Sequence, residues 1–186
     1  MSAVLEYRTL RAQDLSLGDP DATAMHISGY AARFNESSLP VLVRGDVMLE
    51  EIDPRAFDAT LNDPDVSLYW QHDPSEPLAS TLSGTLNLRT TDEGLLFDAD
   101  LPQTTLARDA MALLRRGLVR QMSFGFRVVR ESMNGRTRRL DEIELQEISL
   151  VERAAYPTAG ASARSRTLSR DELALRTRLI TQGIRL

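Results

Sequence analysis

The stretch that decides the fold more than any other is residues 119–151, VRQMSFGFRVVRESMNGRTRRLDEIELQEISLV. It contains two strand-like segments joined by a turn. Val119–Val129 reads as a strand, and Gly125 within it predicts a break or a bulge. Asn134-Gly135 is a strong turn dipeptide, and Arg138–Val151 follows it as a second strand. We therefore expect a long antiparallel hairpin.

The residues before this hairpin add further strands. Met25–Phe34 and Val66–Trp70 alternate apolar and polar residues at strand period. Leu82–Leu101 contains two strands around a polar turn at residues 90–94. Several strands separated by turns, without regular alternation with helices, predict an α+β fold. Its main part is expected to be an antiparallel β-barrel or sandwich with a few helices packed outside.

Two helices are predicted within this strand-rich body. Thr104 and Thr105 precede a segment with apolar residues at helical spacing, and Gly117 follows it, which predicts a helix at about residues 105–116. Asp53 and Pro54 form a loop that leads into a shorter helix, with Pro54 suited to a first helical position.

The composition narrows the class of protein. The chain has 186 residues, 42% hydrophobic and 26% charged, which is typical of a soluble globular domain. It has no cysteine, which excludes disulfides, thiolate metal sites and a cysteine nucleophile. The charged N-terminus does not resemble a signal peptide, and no stretch approaches the ~18 apolar residues of a membrane span. The net charge of −5 argues against general nucleic-acid binding, and no motif predicts a metal site or a cofactor.

The chain has only two histidines, and histidine is the most frequent general base at neutral pH. His26 lies inside an alternating strand, where a structural role is expected. His72 ends a strand and precedes Asp73-Pro74-Ser75, which we interpret as a turn. Reactive groups are often presented on loop edges of this kind, so His72 is the candidate base.

Ser123 and Glu147 are the other candidate residues, one on each strand of the hairpin. Gly125 near Ser123 allows close backbone approach, as main-chain oxyanion binding requires. Strand alternation places Glu147 on the opposite face from Ile148 and from Glu144, so at most one of the two glutamates is expected to point at His72. From position alone, His72, Ser123 and Glu147 are each also compatible with an ordinary structural role.

Six segments, in order, resemble those of the prohead serine proteases of tailed phages. The resemblance covers about residues 25–160. The first three segments are GYAARFN at 29–35, EIDPRAF at 51–57 and YWQHDP at 69–74. The fourth, which matches the middle of the family's sequence, is Gly94-Leu95 together with the helix Ala107–Arg116. The last two are MSFGF at 122–126 and EISLV at 147–151, the latter followed by Ala155-Tyr156-Pro157. Arg55 stands where the family usually has glycine.

The resemblance implies a fold like that of the herpesvirus assembly proteases and a catalytic triad of His72, Ser123 and Glu147, with Glu144 as the alternative third member. It implies cleavage of the scaffold part of a phage major capsid protein, and of the protease itself, inside the procapsid in the host cytoplasm. Similar viral proteases form dimers, so a homodimer is one expected state. Backbone N–H groups near the Arg153–Tyr156 turn are candidate oxyanion donors.

The expected organisation is a protease domain at residues 1–157, a flexible linker at 158–168 and a basic helical tail at 169–186. The linker is the candidate self-cleavage region, and the tail is a candidate docking element. Two alternatives remain open. One is a capsid-assembly or scaffolding protein with the same fold and no enzymatic activity. The other is an unrelated β-barrel binding module, in which His72 and Ser123 would lie far apart.

Overall fold

The computed structural model describes residues 4–11, 15–19, 24–38, 40–62 and 64–152. Strands predominate, and two helices are found among the described residues, which confirms the α+β class. The elements are β1 (Leu5–Arg11), β2 (Ser16–Leu17), β3 (Met25–Arg33), β4 (Val41–Val43), β5 (Asp46–Ile52), α1 (Asp58–Asn62), β6 (Ser67–Trp70), β7 (Asp73–Ser80), β8 (Leu86–Thr90), β9 (Gly94–Leu101), α2 (Thr105–Arg115), β10 (Gln121–Asn134) and β11 (Thr137–Val151).

The strands form two sheets. In the seven-stranded sheet the order is β1-β10-β11-β5-β4, and β6 and β7 extend it beyond β11. The strand β11 pairs antiparallel with β10 along its whole length, and parallel with β5 near its start and with β6 near its end. The four-stranded sheet has the order β2-β3-β9-β8 and is antiparallel.

The predicted closed barrel is not found in the described part of the chain. A barrel requires every edge strand to hydrogen-bond with another edge. Among the described residues β1 pairs only with β10, and β7 pairs only with β6, so the larger sheet is open in this part of the chain. Alternation in the sequence reports which face of a strand is buried. It carries no information on whether distant edges meet.

One hydrophobic core joins both sheets and α2. Met122 and Phe124 of β10 and Ile148 of β11 contribute from the larger sheet, and Phe97 contributes from the smaller one. The helix α2 adds Met111 on its buried side. Because one face of β10 and β11 packs into this core, the residues of alternate positions lie on the other face of the sheet.

The helix α2 confirms the prediction made from its flanking residues. The Thr104 hydroxyl accepts a hydrogen bond from the Ala107 N–H at 3.2 Å and so caps the N-terminus. At the C-terminus Gly117 has a φ of +66°, and its N–H donates to the Leu114 carbonyl. The Leu118 N–H donates to Leu113, which completes a Schellman motif.

Two turns differ in detail from the sequence expectation. Asn134 pairs with Thr137, so Gly135 is the first central residue of the hairpin turn and has a φ of +61°. Pro54 lies in a turn before α1 rather than in its first position, because the helix begins at Asp58. In both cases the element was predicted correctly and its boundary was displaced.

A buried charge network ties β1 to the rest of the larger sheet. Arg138 is 1% exposed, and its guanidinium donates to Glu6 at 2.8 Å, to Glu50 at 3.0 Å and to Glu131 at 2.7 Å. Arg8 donates to both carboxylate oxygens of Glu50, at 2.6 and 2.7 Å. Burial alone would lower the pKa of Arg138, but the surrounding carboxylates outweigh it and raise that pKa. The network therefore holds β1 in place through charge-assisted hydrogen bonds.

This network predicts a loss of stability in acid. Burial raises the pKa of Glu6, but the hydrogen bond and charge of Arg138 and the charge of Arg8 outweigh it, so the net pKa is lowered. A carboxyl with a lowered pKa stabilises the fold above its unfolded pKa of about 4.3, and this contribution is lost as pH falls through the folded value. We expect Glu6→Gln to lower the free energy of unfolding at pH 7 by about 1.5–3 kcal/mol and to weaken its decrease in acid.

Urea unfolding at pH 7 and at about pH 3.5 measures both effects. Glu93→Gln is the control, because Glu93 is 67% exposed and forms an ion pair with Arg33 at the surface. An equal pH dependence in the wild-type chain and in Glu6→Gln would contradict the prediction.

Candidate active site

The face of the larger sheet that points away from the core carries small and polar residues. The strand register aligns them in two rows across β1, β10 and β11: Thr9, Ser123 and Ser149 in the first row, and Tyr7, Gly125 and Glu147 in the second. Their chain neighbours Met122, Phe124 and Ile148 lie on the opposite face, within the core. The alternation expected from the sequence therefore holds from Glu147 to Val151. The register of β10 against β11 brings Ser123 onto the same face as Glu147.

His72 reaches this face from the turn between β6 and β7. The strand β6 lies beside the end of β11, with Tyr69 opposite Ser149. Trp70 pairs with Asp73, so Gln71 and His72 are the central residues of a two-residue hairpin, with φ values of 55° and 62°. The prediction of a turn at Asp73–Ser75 is wrong. The chain already reverses at Gln71 and His72, and β7 begins at Asp73.

The backbone conformation of this turn is costly for residues other than glycine, asparagine or aspartate. Two hydrogen bonds to β11 hold the turn in this conformation. The Gln71 N–H donates to the Leu150 carbonyl at 3.0 Å, and the His72 ring is hydrogen-bonded to Glu147. Strain of this kind is frequent at functional sites, where the fold fixes one conformation against local preference.

His72 and Glu147 are in direct contact. The distance from His72 Nδ1 to Glu147 Oε1 is 2.6 Å. Because an ionised carboxylate only accepts hydrogen bonds, Nδ1 carries the proton and Nε2 remains as the basic nitrogen. The Ser149 hydroxyl donates to the other carboxylate oxygen of Glu147 at 2.6 Å. The carboxylate is thus fixed at both oxygens, and the imidazole is held in one tautomer.

Ser123 lies on the same face but is not hydrogen-bonded to His72 in the described part of the chain. It is fully buried, at 0% exposure. Its hydroxyl donates to the Arg8 carbonyl at 3.1 Å and lies 3.5 Å from the Thr9 hydroxyl. The structure therefore brings two of the three predicted residues into hydrogen-bond contact and places the third one row away, with its hydroxyl directed to β1.

Sequence reasoning missed two residues of this site, Tyr7 and Ser149. The rings of Tyr7 and His72 meet edge to face, with centroids 4.7 Å apart and planes at 70°. Burial raises the pKa of Tyr7, and the charge of Glu147 adds to that increase. Ser149 could have been identified from the sequence, since it alternates with Glu147 on one strand face. Tyr7 could not, because its partner His72 comes from a distant segment.

Gly125 has a steric role that differs from the one expected. A Cβ at this position would lie 2.8 Å from a ring carbon of Tyr7 and 2.9 Å from the carboxylate of Glu147. The missing side chain thus leaves room for the two residues that contact His72. The expected oxyanion donors at residues 153–156 lie outside the described residues.

The position of Glu144 corrects the alternation argument. A register shift after Gly125 leaves Gln146 as an extra residue on β11, so Gly125 pairs with Glu147 but Arg127 pairs with Glu144. The bulge changes the parity of the strand and brings Glu144 onto the same face as Glu147. Its side chain is 56% exposed and lies 3.9 Å from Arg127.

His26 lies on the other sheet, where it contacts Asp100 at 3.0 Å and Asp98 at 3.4 Å. Among the described residues no group of three histidines, cysteines or carboxylates has the arrangement of a metal site. Within the same part of the chain, no helix has the length and apolar character needed to cross a membrane.

The chain belongs to the family of caudovirus prohead serine proteases, whose family model matches residues 12–172. It is therefore a serine-type protease of phage capsid maturation. Among solved structures it is similar to the bacteriophage T4 capsid assembly protease, gp21, with a TM-score of 0.51 and 13% sequence identity over 79% of this chain and 98% of that chain. At this identity the likeness shows a shared fold. No curated protein matches the chain significantly.

Proposed function

We propose that this protein is a serine endopeptidase in which Ser123 is the nucleophile, His72 the general base and Glu147 the residue that orients the base. The observation that carries the proposal is the 2.6 Å hydrogen bond between His72 and Glu147, on the sheet face that also carries Ser123. A base with its Nδ1 proton held by a buried carboxylate is the arrangement that serine proteases of unrelated folds share.

The reaction begins when the Ser123 hydroxyl turns away from the Arg8 carbonyl and towards Nε2 of His72. A rotation about χ1 moves the hydroxyl between staggered positions, and catalytic hydrogen bonds often form only when substrate is bound. The Ser123 oxygen attacks the peptide carbonyl carbon while Nε2 takes its proton. Glu147 stabilises the imidazolium that forms.

His72 then gives the proton to the leaving amine, and the bond between carbonyl carbon and nitrogen breaks. Water attacks the resulting ester with His72 again as base, which releases the acid and restores the Ser123 hydroxyl. The oxyanion needs donated N–H groups, and the turn at residues 153–156 is our candidate for them. No step requires a metal or a cofactor.

The proposed substrate is the scaffold part of the phage major capsid protein, cut inside the procapsid in the host cytoplasm. We also propose self-cleavage in the linker at residues 158–168, and docking of the basic tail at 169–186 on capsid or scaffold protein. Both segments lie outside the described residues. A homodimer remains a further proposal, and nucleic acid and membrane are not proposed as partners.

Co-expression with the major capsid protein of the same phage tests the proposal. We expect the wild-type chain to shorten the capsid protein, and Ser123→Ala to leave it intact. Ser132→Ala is the matched control, because Ser132 lies exposed on the same strand and contacts Asp141. Mass spectrometry of the protease in the same samples reports self-cleavage, which only the chains with Ser123 should undergo.

Intact capsid protein in all samples, with capsids still assembled, would instead support a non-enzymatic assembly role. The burial of Ser123 and its hydrogen bond to Arg8 are the observations that would favour that function.

A further inference from the structure

We propose that Tyr7, on the N-terminal strand β1, is a positioning residue that fixes the orientation of the His72 ring. This inference rests on the proposed function, since it assigns to His72 the role of general base. The strand β1 lies before residue 12, where the match to the family model begins. It therefore adds a part of the site that the family match does not include.

The contact between the two rings is direct. Their centroids are 4.7 Å apart at an angle of 70°, which is the edge-to-face geometry that aromatic pairs prefer. The hydrogen bond to Glu147 fixes the position of one ring nitrogen of His72. A single hydrogen bond leaves the ring free to tilt about that point. A second contact, by the Tyr7 ring, restricts the tilt and hence the direction of Nε2.

Tyr7 occupies a space that the sheet leaves open for it. It pairs with Gly125, which in turn pairs with Glu147, so the three residues form one row across three strands. Any side chain at Gly125 would overlap both the Tyr7 ring and the Glu147 carboxylate. Because Gly125 has no Cβ, Tyr7 can approach Glu147 across the sheet. Tyr7 and Glu147 both contact His72.

The strand that carries Tyr7 is anchored firmly. Glu6 and Arg8, its chain neighbours, point to the opposite face and enter the buried network around Arg138. The same strand touches the proposed nucleophile, because the Arg8 carbonyl accepts the Ser123 hydroxyl. One N-terminal strand therefore contacts both the proposed nucleophile Ser123 and the proposed base His72.

Nuclear magnetic resonance of the full-length chain tests the contact, because the chain has only two histidines. In the wild-type protein we expect a nuclear Overhauser effect between the Tyr7 and His72 rings. Tyr7→Leu removes the aromatic ring and should move the His72 ring signals, while those of His26 on the other sheet stay in place. Tyr7→Phe keeps the ring and should keep the His72 signals close to their wild-type positions.

Labelling of Ser123 by a fluorophosphonate probe tests the consequence for reactivity. The serine oxygen bonds to phosphorus, fluoride leaves, and His72 takes the proton. We expect Tyr7→Leu to lower the maximal labelling rate by about 10- to 100-fold without changing the probe concentration at half-saturation. Tyr7→Phe should restore the wild-type rate. Leu5→Ala on the same strand is the control for a general weakening of β1.

Unchanged His72 signals in Tyr7→Leu, or no Overhauser effect in the wild-type chain, would overturn the inference, whatever the labelling rates. An equal loss of labelling in Leu5→Ala and Tyr7→Leu would also overturn it, since weakened strand packing would then explain the effect. Persistent labelling of Ser123→Ala is a different result. It contradicts Ser123 as the nucleophile. The contact between the Tyr7 and His72 rings is then tested by the nuclear magnetic resonance experiment alone.

Discussion

His72→Ala is expected to lower the rate of fluorophosphonate labelling of Ser123 by about 10²–10⁴-fold and to abolish visible cleavage of the capsid protein. The loss is large because His72 is the proposed acceptor of the serine proton, and the other histidine of the chain, His26, lies on the smaller sheet. The ring of His72 lies at the edge of the sheet, with 31% of its side chain exposed, and contributes little to the core. The variant should therefore retain its fold and its thermal unfolding transition.

His26→Ala is the matched control for this prediction. It removes the other histidine of the chain, on the smaller sheet, together with its contacts to Asp98 and Asp100. Labelling and capsid cleavage should stay at the wild-type level. Wild-type activity in a folded His72→Ala chain would refute His72 as the general base.

Glu147→Gln is expected to lower the labelling rate by about 10⁴-fold. Replacing the orienting carboxylate of a catalytic triad by the corresponding amide lowers the rate by about this factor. Glu147 accepts from His72 at one oxygen and from Ser149 at the other. An amide offers only one accepting oxygen, so one of the two donors would face an N–H₂ group. The change also removes the negative charge that stabilises the imidazolium.

Glu144→Gln separates the two candidate third members. Both glutamates lie on β11 and on the same face, but Glu144 is largely exposed beside Arg127 and should tolerate the change with near wild-type activity. Labelling rates and thermal unfolding of both variants give the comparison. A severe loss in Glu144→Gln with normal activity in Glu147→Gln would reverse the assignment.

Local signals predicted most of the secondary structure. Thr104 and Gly117 bounded α2 because capping depends on residues within one turn of the helix end. The hairpin of β10 and β11 followed from a turn dipeptide between two strand-like segments, and Gly125 indicated the register shift beside it. Such features need only a few neighbouring residues, so a single sequence contains them.

Features that depend on strand pairing were predicted less well. The extra residue Gln146 reversed the expected face of Glu144, because one bulge changes the parity of every position beyond it. The turn at Gln71 and His72 adopts positive φ values that neither residue favours by itself. Its position reflects the pairing of β6 with β7 and β11 rather than a local turn signal.

The sequence by itself determined the strand-rich α+β class, the central helix, the face of Glu147 opposite Ile148, and the family resemblance that selected His72. The register of β10 against β11, which puts Ser123 on the face of Glu147, came from the structure. The catalytic roles of these three residues stay predictions. Only the tertiary structure decided that β6 lies parallel to β11 and brings His72 to Glu147 across 75 residues of chain. It also decided that the larger sheet is open in the described part of the chain and that Tyr7 packs on His72. The physical reason is that the pairing of distant strands is decided by packing between segments far apart in the chain, whereas alternation within one strand reports only which face is buried.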